Sequence, residues 1–480
     1  MRSRAAPPTA RQRLVAFLEE RTSFSVIFRA LFMHQVPGFV NPLDYLGEAT
    51  AFVFINQAVT GILLAMFYNA STTPVGHATA AYQSIQTIMT QVPLGWVLRG
   101  LHYWGANAMV VLVFAHMLRV FYVGAYKKPR ELTWMFGVML LGVVILFAFT
   151  GYLLPWDQQA YWATMVGTDM PSYVPFIGNW LLELARGGAW LSGATLTRFY
   201  AIHMLVLPLL LVGLLSVHLA LVFRHGQSIA VEAEERGRRD ERYRRTLVDF
   251  WPNTIAQMSV VVLVVALGLL LLTLLFKAPL LAPADPLNRA HYQPIPAWYF
   301  YSIYYVLDAV GRLFPMQAPI LSPLVVIGLP LVGGIALLAM PWIDRSPSPE
   351  PAARPLFISG ALVGVAALLV FTYLGNGLAT GGVSNTVVAR PSFAADIQPI
   401  LSAKCYICHS GSSPSGGLDL TSYASAAKLH IWVPGNPQQS LLYEKITGAV
   451  PPRMPLGGPY LPPGAIQTIA NWIKEGAPNN

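Results

Sequence analysis

Four histidines lie inside long apolar stretches of this chain: His102 and His116 in one, His203 and His218 in another. An ionisable side chain is costly inside a membrane and each one calls for a reason. The members of the two pairs are 14 and 15 residues apart. On an α-helix, 14 residues fall about 40° short of four full turns and 15 overshoot by about 60°, so both histidines of a helix look out from a similar face. They are separated along the axis by roughly 21–22 Å, one near each membrane surface. Two such helices set antiparallel bring His102 level with His203 and His116 level with His218. Facing imidazoles at two depths are ligand sets for two b-type haems stacked across a membrane. A single buried histidine is usually a hydrogen-bonded interior side chain, but that reading leaves four at matched depth unaccounted for.

Glycines repeat the same spacing. Gly47 and Gly61 are 14 residues apart, as are Gly137 and Gly151. A flat macrocycle wedged between helices needs neighbouring backbones without side chains, so these four are expected to flank it. Arg99, Arg119 and Arg198 fall near helix ends, where they are candidates to pair with haem propionates or to snorkel to the interface.

A second site lies far along the chain. Both cysteines of the protein, Cys405 and Cys408, fall in the string CYICH. This fits covalent haem attachment, two thiols adding to the vinyl groups with His409 placed to bind the iron. Met454, in RMPLGG, is the candidate for the opposite axial position, where a thioether raises the haem potential. With both thiols used here, none remain for an iron–sulfur cluster on this chain.

The elements that must position these residues follow from composition. Of 480 residues, 55% are hydrophobic and 11% charged, and the mean hydropathy is +0.51. That is far more apolar than a soluble globular protein of this size. The net charge of +9 reads as Lys and Arg held on one side of a membrane, not as a nucleic-acid surface. A bilayer span takes about 20 mostly apolar residues, and such segments occur near 47–68, 100–124, 133–153, 199–223, 256–277, 320–342 and 356–376. The basic N-terminus, the Lys127/Lys128/Arg130 loop, the 224–245 stretch and the Arg345/Arg354 loop then fall on one side, which the positive-inside tendency makes cytoplasmic. No removable signal peptide is expected, because the arginine-rich start lacks a short apolar run with a small-residue cleavage site. After residue 376 the chain should be on the outer side, passing through GNGLATGGVSNT into a polar region in which Phe393–Ile400 and Pro463–Glu475 read as flanking helices of a small haem domain. The expected fold is an all-α integral membrane protein: a four-helix haem-binding bundle, three further transmembrane helices, and a small α-helical cytochrome c domain. The divisions fall at 1–225, 226–376, a 377–390 linker and 391–480.

The four-histidine helices, together with KKPRELTW at 127–134, TGYLLPWDQ at 150–158 and LTRFYAIH at 196–203, resemble cytochrome b of the bc complexes. The 15-residue spacing on the fourth helix is closer to the chloroplast and cyanobacterial version, which is split into four-helix and three-helix subunits; here both halves are joined. The C-terminal FAADIQPILSAKCYICH resembles small c-type domains fused to bacterial respiratory proteins.

The resemblance implies a quinol-oxidising pocket near the outer surface, framed by Leu154–Asp157, the loop helix that follows and PAWYFY at 296–301, with a second quinone pocket at the inner haem. In the family, quinol gives one electron to a mobile Rieske iron–sulfur protein and the other to the haem ladder. Pro296, Trp298 and Tyr299 match the family's Pro-Glu-Trp-Tyr, but Ala297 stands where the proton-accepting glutamate is usual. Asp157 and Asp308 are candidates by position to replace it. Tyr45 aligns with the cysteine that anchors an additional covalent haem in the chloroplast-like members, so thioether attachment is excluded there.

These readings make the chain a subunit of a quinol:cytochrome c, or plastocyanin-like, oxidoreductase in a bacterial cytoplasmic membrane of a respiratory or photosynthetic chain, coupled to proton translocation. The cofactors would be two haem b and one covalent haem c, with quinone as substrate. The partners would be a Rieske protein, the quinone pool, a soluble cytochrome c or copper protein, lipid and, by resemblance, a second copy. The alternative is a non-bifurcating membrane anchor that passes electrons between quinone and the c haem. A transporter or scaffold would leave the haem motifs without a purpose.

Overall fold

The computed structural model describes all residues except 1–8, 34, 38–41, 175, 227–246, 285–295, 314–323, 380–386, 407–408, 410–413 and 456–459. Among the described residues, six helices of 22 to 33 residues are long and apolar enough to cross a membrane. In chain order, α1 (Ala10–Thr22) and α2 (Phe24–Phe32) precede the first span, α3 (Leu46–Ala65). A short α4 (Ala80–Thr90) leads to the spans α5 (Gly95–Tyr122) and α6 (Glu131–Tyr152). Two loop helices, α7 (Gln158–Asp169) and α8 (Gly178–Arg186), are followed by the spans α9 (Gly193–His225) and α10 (Ile255–Leu275). Then come α11 (Tyr301–Leu313), α12 (Leu329–Leu338) and the last span, α13 (Pro355–Ala379). The seventh expected segment, 320–342, begins outside the described residues. Its described part is a π turn, Leu324–Gly328, running into α12 and breaking before Met340–Ile343. The last span continues to Ala379, into the segment read as linker. Among the described residues, strands are confined to two minimal antiparallel pairs, Gln35–Pro37 with Leu247–Asp249 and Pro74–Val75 with Ala78–Thr79.

Helix α3 packs along α5, and α6 along α9; α10 closes against α3 and α5, and α11 pairs with α13. The shared core holds Val53, Met109, Val110, Val113, Leu141, Val144, Leu207, Leu211 and Leu269. The outer faces stay apolar and unpartnered, with Ile62, Leu209, Leu263 and Leu369 exposed, which is the belt a bilayer covers. Within α9 the hydrogen-bond ladder widens to a π turn at Ile202–Val206, just before Pro208. Proline has no N–H and its ring collides with the carbonyl of the preceding turn; the extra residue of a π turn relieves both. His203 lies in that turn.

A buried charge cluster ties the two halves of the membrane region at one end. Asp344, with no exposed side chain, sits 3.1 Å from Lys127 Nζ and 3.6 Å from the equally buried Arg354. The Tyr126 hydroxyl donates to the same carboxylate. Arg354 also donates to the carbonyls of Phe121 at 3.1 Å, Tyr122 at 2.5 Å and Pro349 at 2.9 Å. The loop after α5 and the loop before α13 are therefore on the same side, as the alternation of spans requires. Burial alone would raise the Asp344 carboxyl, but hydrogen bonds from Ser346, Tyr126 and Lys127 outweigh it and hold it down to about 2.

The C-terminal region has its own apolar core of Phe393, Ile397, Leu401, Leu420, Trp432, Leu461, Ile469 and Trp472. Its elements include α14 (Gln398–Lys404), α15 (Tyr423–Ala427), α16 (Leu441–Thr447) and α17 (Pro463–Lys474). Four aromatic rings interlock at its centre, Trp432 and Trp472 at 4.9 Å and Phe393 and Tyr423 at 5.0 Å between centroids. The terminal Asn480 is drawn back onto the start of this region, its carbonyl accepting from Ala394 N at 3.0 Å and its side chain from Phe393 N at 2.9 Å.

Candidate haem and quinol sites

The structure sets the four histidines in two tiers. His203 lies near His102, and His116 near His218, as expected of antiparallel helices. Each imidazole is seated against one of the four glycines. A Cβ on Gly61 would lie 3.2 Å from Cε1 of His102, and one on Gly47 3.2 Å from Cε1 of His116. On the other pair of helices the distances are 2.5 Å from Gly151 to His203 and 3.4 Å from Gly137 to His218. The bare glycine faces thus receive the edges of the histidine rings, and larger residues at most of these positions would push the rings out of place.

Hydrogen bonds set the tautomer of three rings. Thr60 Oγ1 lies 2.9 Å from His102 Nδ1 and Thr150 Oγ1 lies 3.0 Å from His203 Nδ1. Each hydroxyl already donates its only hydrogen within its own helix, Thr60 to Asn56 O at 2.6 Å and Thr150 to Leu146 O at 2.9 Å. With its hydrogen so placed the oxygen is an acceptor, which pairs it with an Nδ1–H. His218 Nδ1 faces the Thr133 carbonyl at 3.0 Å, which likewise only accepts. With Nδ1 protonated, the Nε2 lone pair is free to bind a metal, the usual state of a ligating histidine. Gln57 braces the His102–His203 tier further by donating to the His102 carbonyl at 2.9 Å. Helical spacing does not single out the threonines, although each precedes a paired glycine in a repeated Thr-Gly step at 60–61 and 150–151.

The residues present fit haem. A ligand axis needs two imidazoles, and each tier has two with a glycine-lined wall behind each ring. No group of three or more His, Cys, Asp or Glu side chains suited to a bare metal ion occurs among the described residues.

The arginines have protein partners. Arg99 donates to the carbonyls of Ala278 at 2.9 Å and Pro279 at 2.5 Å, Arg119 pairs with Asp44 at 2.6 Å, and Arg198 fills the space beside Gly187. Tyr45, buried two residues before Gly47, donates its hydroxyl to Gln257.

Asp157 caps α7. Its Oδ1 accepts from Ala160 N at 2.9 Å and its Oδ2 from Leu281 N at 3.1 Å, so both oxygens brace the loop between α6 and α7 against the segment after α10. Burial pushes this carboxyl up, opposed by those N–H groups and by Arg99. Pro296, Trp298 and Tyr299 come together with α5, α6 and α7. Trp298 donates to Asn107, the Tyr299 hydroxyl to the Ala148 carbonyl at 3.5 Å, and Gln159 to the Pro296 carbonyl at 3.4 Å. The side chain of Asp308 lies outside the described residues, as does Cys408. Cys405 follows α14, and His409 N donates to its carbonyl at 2.9 Å. Met454 N donates to the Lys445 carbonyl at 2.8 Å, at the end of the helix α16. Lys404, beside Cys405, is lowered to about 8 by burial.

A multi-pass helical membrane bundle with two tiers of facing histidines, followed by a small helical domain bearing CYICH, defines a membrane electron-transfer protein. Residues 31–226 match the family model "Cytochrome b/b6/petB", 283–390 match "Cytochrome b(C-terminal)/b6/petD", and 405–455 match "Planctomycete cytochrome C". The chain is 36% identical over 329 residues to a cytochrome bc complex cytochrome b subunit of Chlorobaculum thiosulfatiphilum, covering 68% of this chain and 72% of that one. It is 39% identical over 212 residues to cytochrome b6 of Acaryochloris marina, covering 44% of this chain and 96% of that one. A solved hyperthermophilic respiratory Complex III superposes with a TM-score of 0.66 at 27% identity, over 75% of this chain and 91% of that one. The chain belongs to the cytochrome b family of bc-type complexes and carries a cytochrome c domain at its C-terminus.

Proposed function

We propose that this chain oxidises quinol as the fused cytochrome b and c subunit of a bc-type complex and delivers electrons to a soluble cytochrome c or copper protein. The observation that carries the reading is the pair of histidine tiers with Nε2 left free at three of the four rings. His102 and His203 would hold one haem b, and His116 and His218 the other. Cys405 and Cys408 would attach a haem c, with His409 and Met454 on its iron. When bound, these groups supply one-electron centres stepped across a low-dielectric layer. The protein's own work is to fix the rings: Thr60, Thr150 and the Thr133 carbonyl hold the protons on Nδ1, and the four glycines leave room for the imidazole edges. Asp157 and Arg99 brace the wall of the quinol pocket. In this reading residues 1–225 form the di-haem bundle, 226–376 the half that completes the quinol site, 377–390 a linker and 391–480 the c domain. The basic loops face the cytoplasm and the c domain the outside; a Rieske protein and a second copy complete the assembly.

Ala297 favours a second reading, a non-bifurcating anchor, because no carboxylate stands at that point of the quinol segment. The two are separated by adding an oxidant to the purified complex with its inner quinone site blocked. Bifurcation predicts transient reduction of haem b on oxidation; an anchor gives none. Absence of any quinol:cytochrome c reductase activity with a Rieske partner present would overturn the main reading.

A further inference from the structure

The Pro296–Tyr301 segment carries no acid of its own, and two side-chain amides from the N-terminal half bracket it. Trp298 opens a single 3-10 turn and is 40% exposed, so burial does not fix its indole. Its Nε1–H donates to Asn107 Oδ1 at 2.6 Å. The orientation of that amide follows from chemistry: an indole nitrogen can only donate, so the oxygen must face it. The Nδ2 group then turns back to the Tyr103 carbonyl, one helical turn earlier, at 2.8 Å. On the other flank, Gln159 Nε2 donates to the Pro296 carbonyl at 3.4 Å. The two contacts straddle Ala297. Asn107 sits five residues after His102 on the same helix, so its bond joins the quinol segment to a helix that carries a candidate haem ligand.

We propose that Asn107, assisted by Gln159, is a positioning residue for quinol oxidation, holding Pro296–Tyr299 in register against α5 so that the quinol headgroup meets a fixed wall. This rests on the quinol-oxidising reading. A wall that is no longer fixed weakens the seating of the headgroup before any electron moves, so the effect falls on KM, and a partly exposed tryptophan without its acceptor keeps only its edge-on contact with Tyr299 at 5.5 Å.

The test uses the purified complex and a short-chain benzoquinol. Asn107→Leu removes the acceptor, Trp298→Phe removes the donor, and Asn107→Gln keeps both an oxygen for the indole and an N–H for the Tyr103 carbonyl. Loss of one hydrogen bond of this kind corresponds to roughly a five- to tenfold change. Asn107→Leu and Trp298→Phe should each raise KM for quinol by that factor with kcat changed far less. The double variant should be no worse than either single, and Asn107→Gln should recover most of the loss. Gln159→Leu, with the longer bond, should give a smaller rise. Haem content should be unchanged throughout. An unchanged KM in Asn107→Leu, multiplicative effects in the double variant, or loss of haem b would overturn the proposal. A wild-type complex that oxidises no quinol would instead sink the reading beneath it.

Discussion

Replacing Gly151 by alanine places a methyl carbon 2.5 Å from Cε1 of His203 and 3.2 Å from each ring nitrogen. Carbon atoms in contact rest about 3.5–4.0 Å apart, so the ring must retreat by about 1 Å. Its retreat is opposed on two sides. Nδ1 is held at 3.0 Å by the hydroxyl of the neighbouring Thr150, and the Phe147 ring stands edge-on at 5.3 Å. Metal–imidazole bonds are about 2 Å long, and a displacement of half that length cannot be absorbed by the bond. The overpacking adds about 1–3 kcal/mol of strain. Gly151→Ala should therefore lose one haem b. Gly137→Ala, with its Cβ at an ordinary 3.4 Å, should keep both, and Gly47→Ala and Gly61→Ala, both at 3.2 Å, should fall between. Pyridine haemochrome spectra of the purified chain give the ratio of b to c haem, the covalent haem serving as the internal standard. A Gly151→Ala protein with both b haems and an unchanged spectrum, or a ranking in which Gly137→Ala suffers most, would show that the glycine faces do not seat the rings.

Thr60→Val and Thr150→Val each remove the acceptor of a ligand's Nδ1–H; a less basic imidazole should raise the midpoint potential of one b haem in a redox titration, and haem affinity should fall roughly ten- to a hundredfold. Arg354→Met leaves the Asp344 carboxylate buried with only part of its compensation and should cost about 3–5 kcal/mol in detergent-solubilised thermal unfolding. Because the Asp344 carboxyl is held near 2, below the ordinary value of 3.8, its stabilisation is complete above that ordinary value and is lost as pH falls through the lower one. An acid unfolding curve should show that loss in wild type and not in Asp344→Asn. Met454→Ala should lower the potential of the c haem without releasing it, whereas Cys405→Ser should weaken or abolish haem staining on a denaturing gel.

What the sequence made legible is what helical period governs. His102, His116, His203 and His218, and the glycines opposite them, declare their faces by spacing alone, because 14 and 15 residues nearly close whole turns. The partners that set the rings are another matter. Thr60 and Thr150 act only because α3 lies against α5 and α6 against α9, a pairing no local pattern encodes. Arg99 reaches carbonyls 179 and 180 residues away, and a cation near a helix end gives no sign of which distant oxygens it will meet. Lys127 and Arg354 read as positive-inside charges, and they do share one side, but their common partner Asp344 appears only in three dimensions. Asp157 is a candidate for chemistry on position; its place just ahead of a helix, three residues before Ala160, is also the pattern of a cap, which Oδ1 supplies, while the bond from Leu281 N to Oδ2 appears only in three dimensions.

If four imidazoles in the membrane hold iron, the haem content of the purified chain must follow them residue by residue. Leucine at 102, 116, 203 or 218 should each take away a single haem b while the covalent haem stays, the first and third variants emptying the same tier and the second and fourth the other. Four variants with undiminished b-haem absorbance would contradict it.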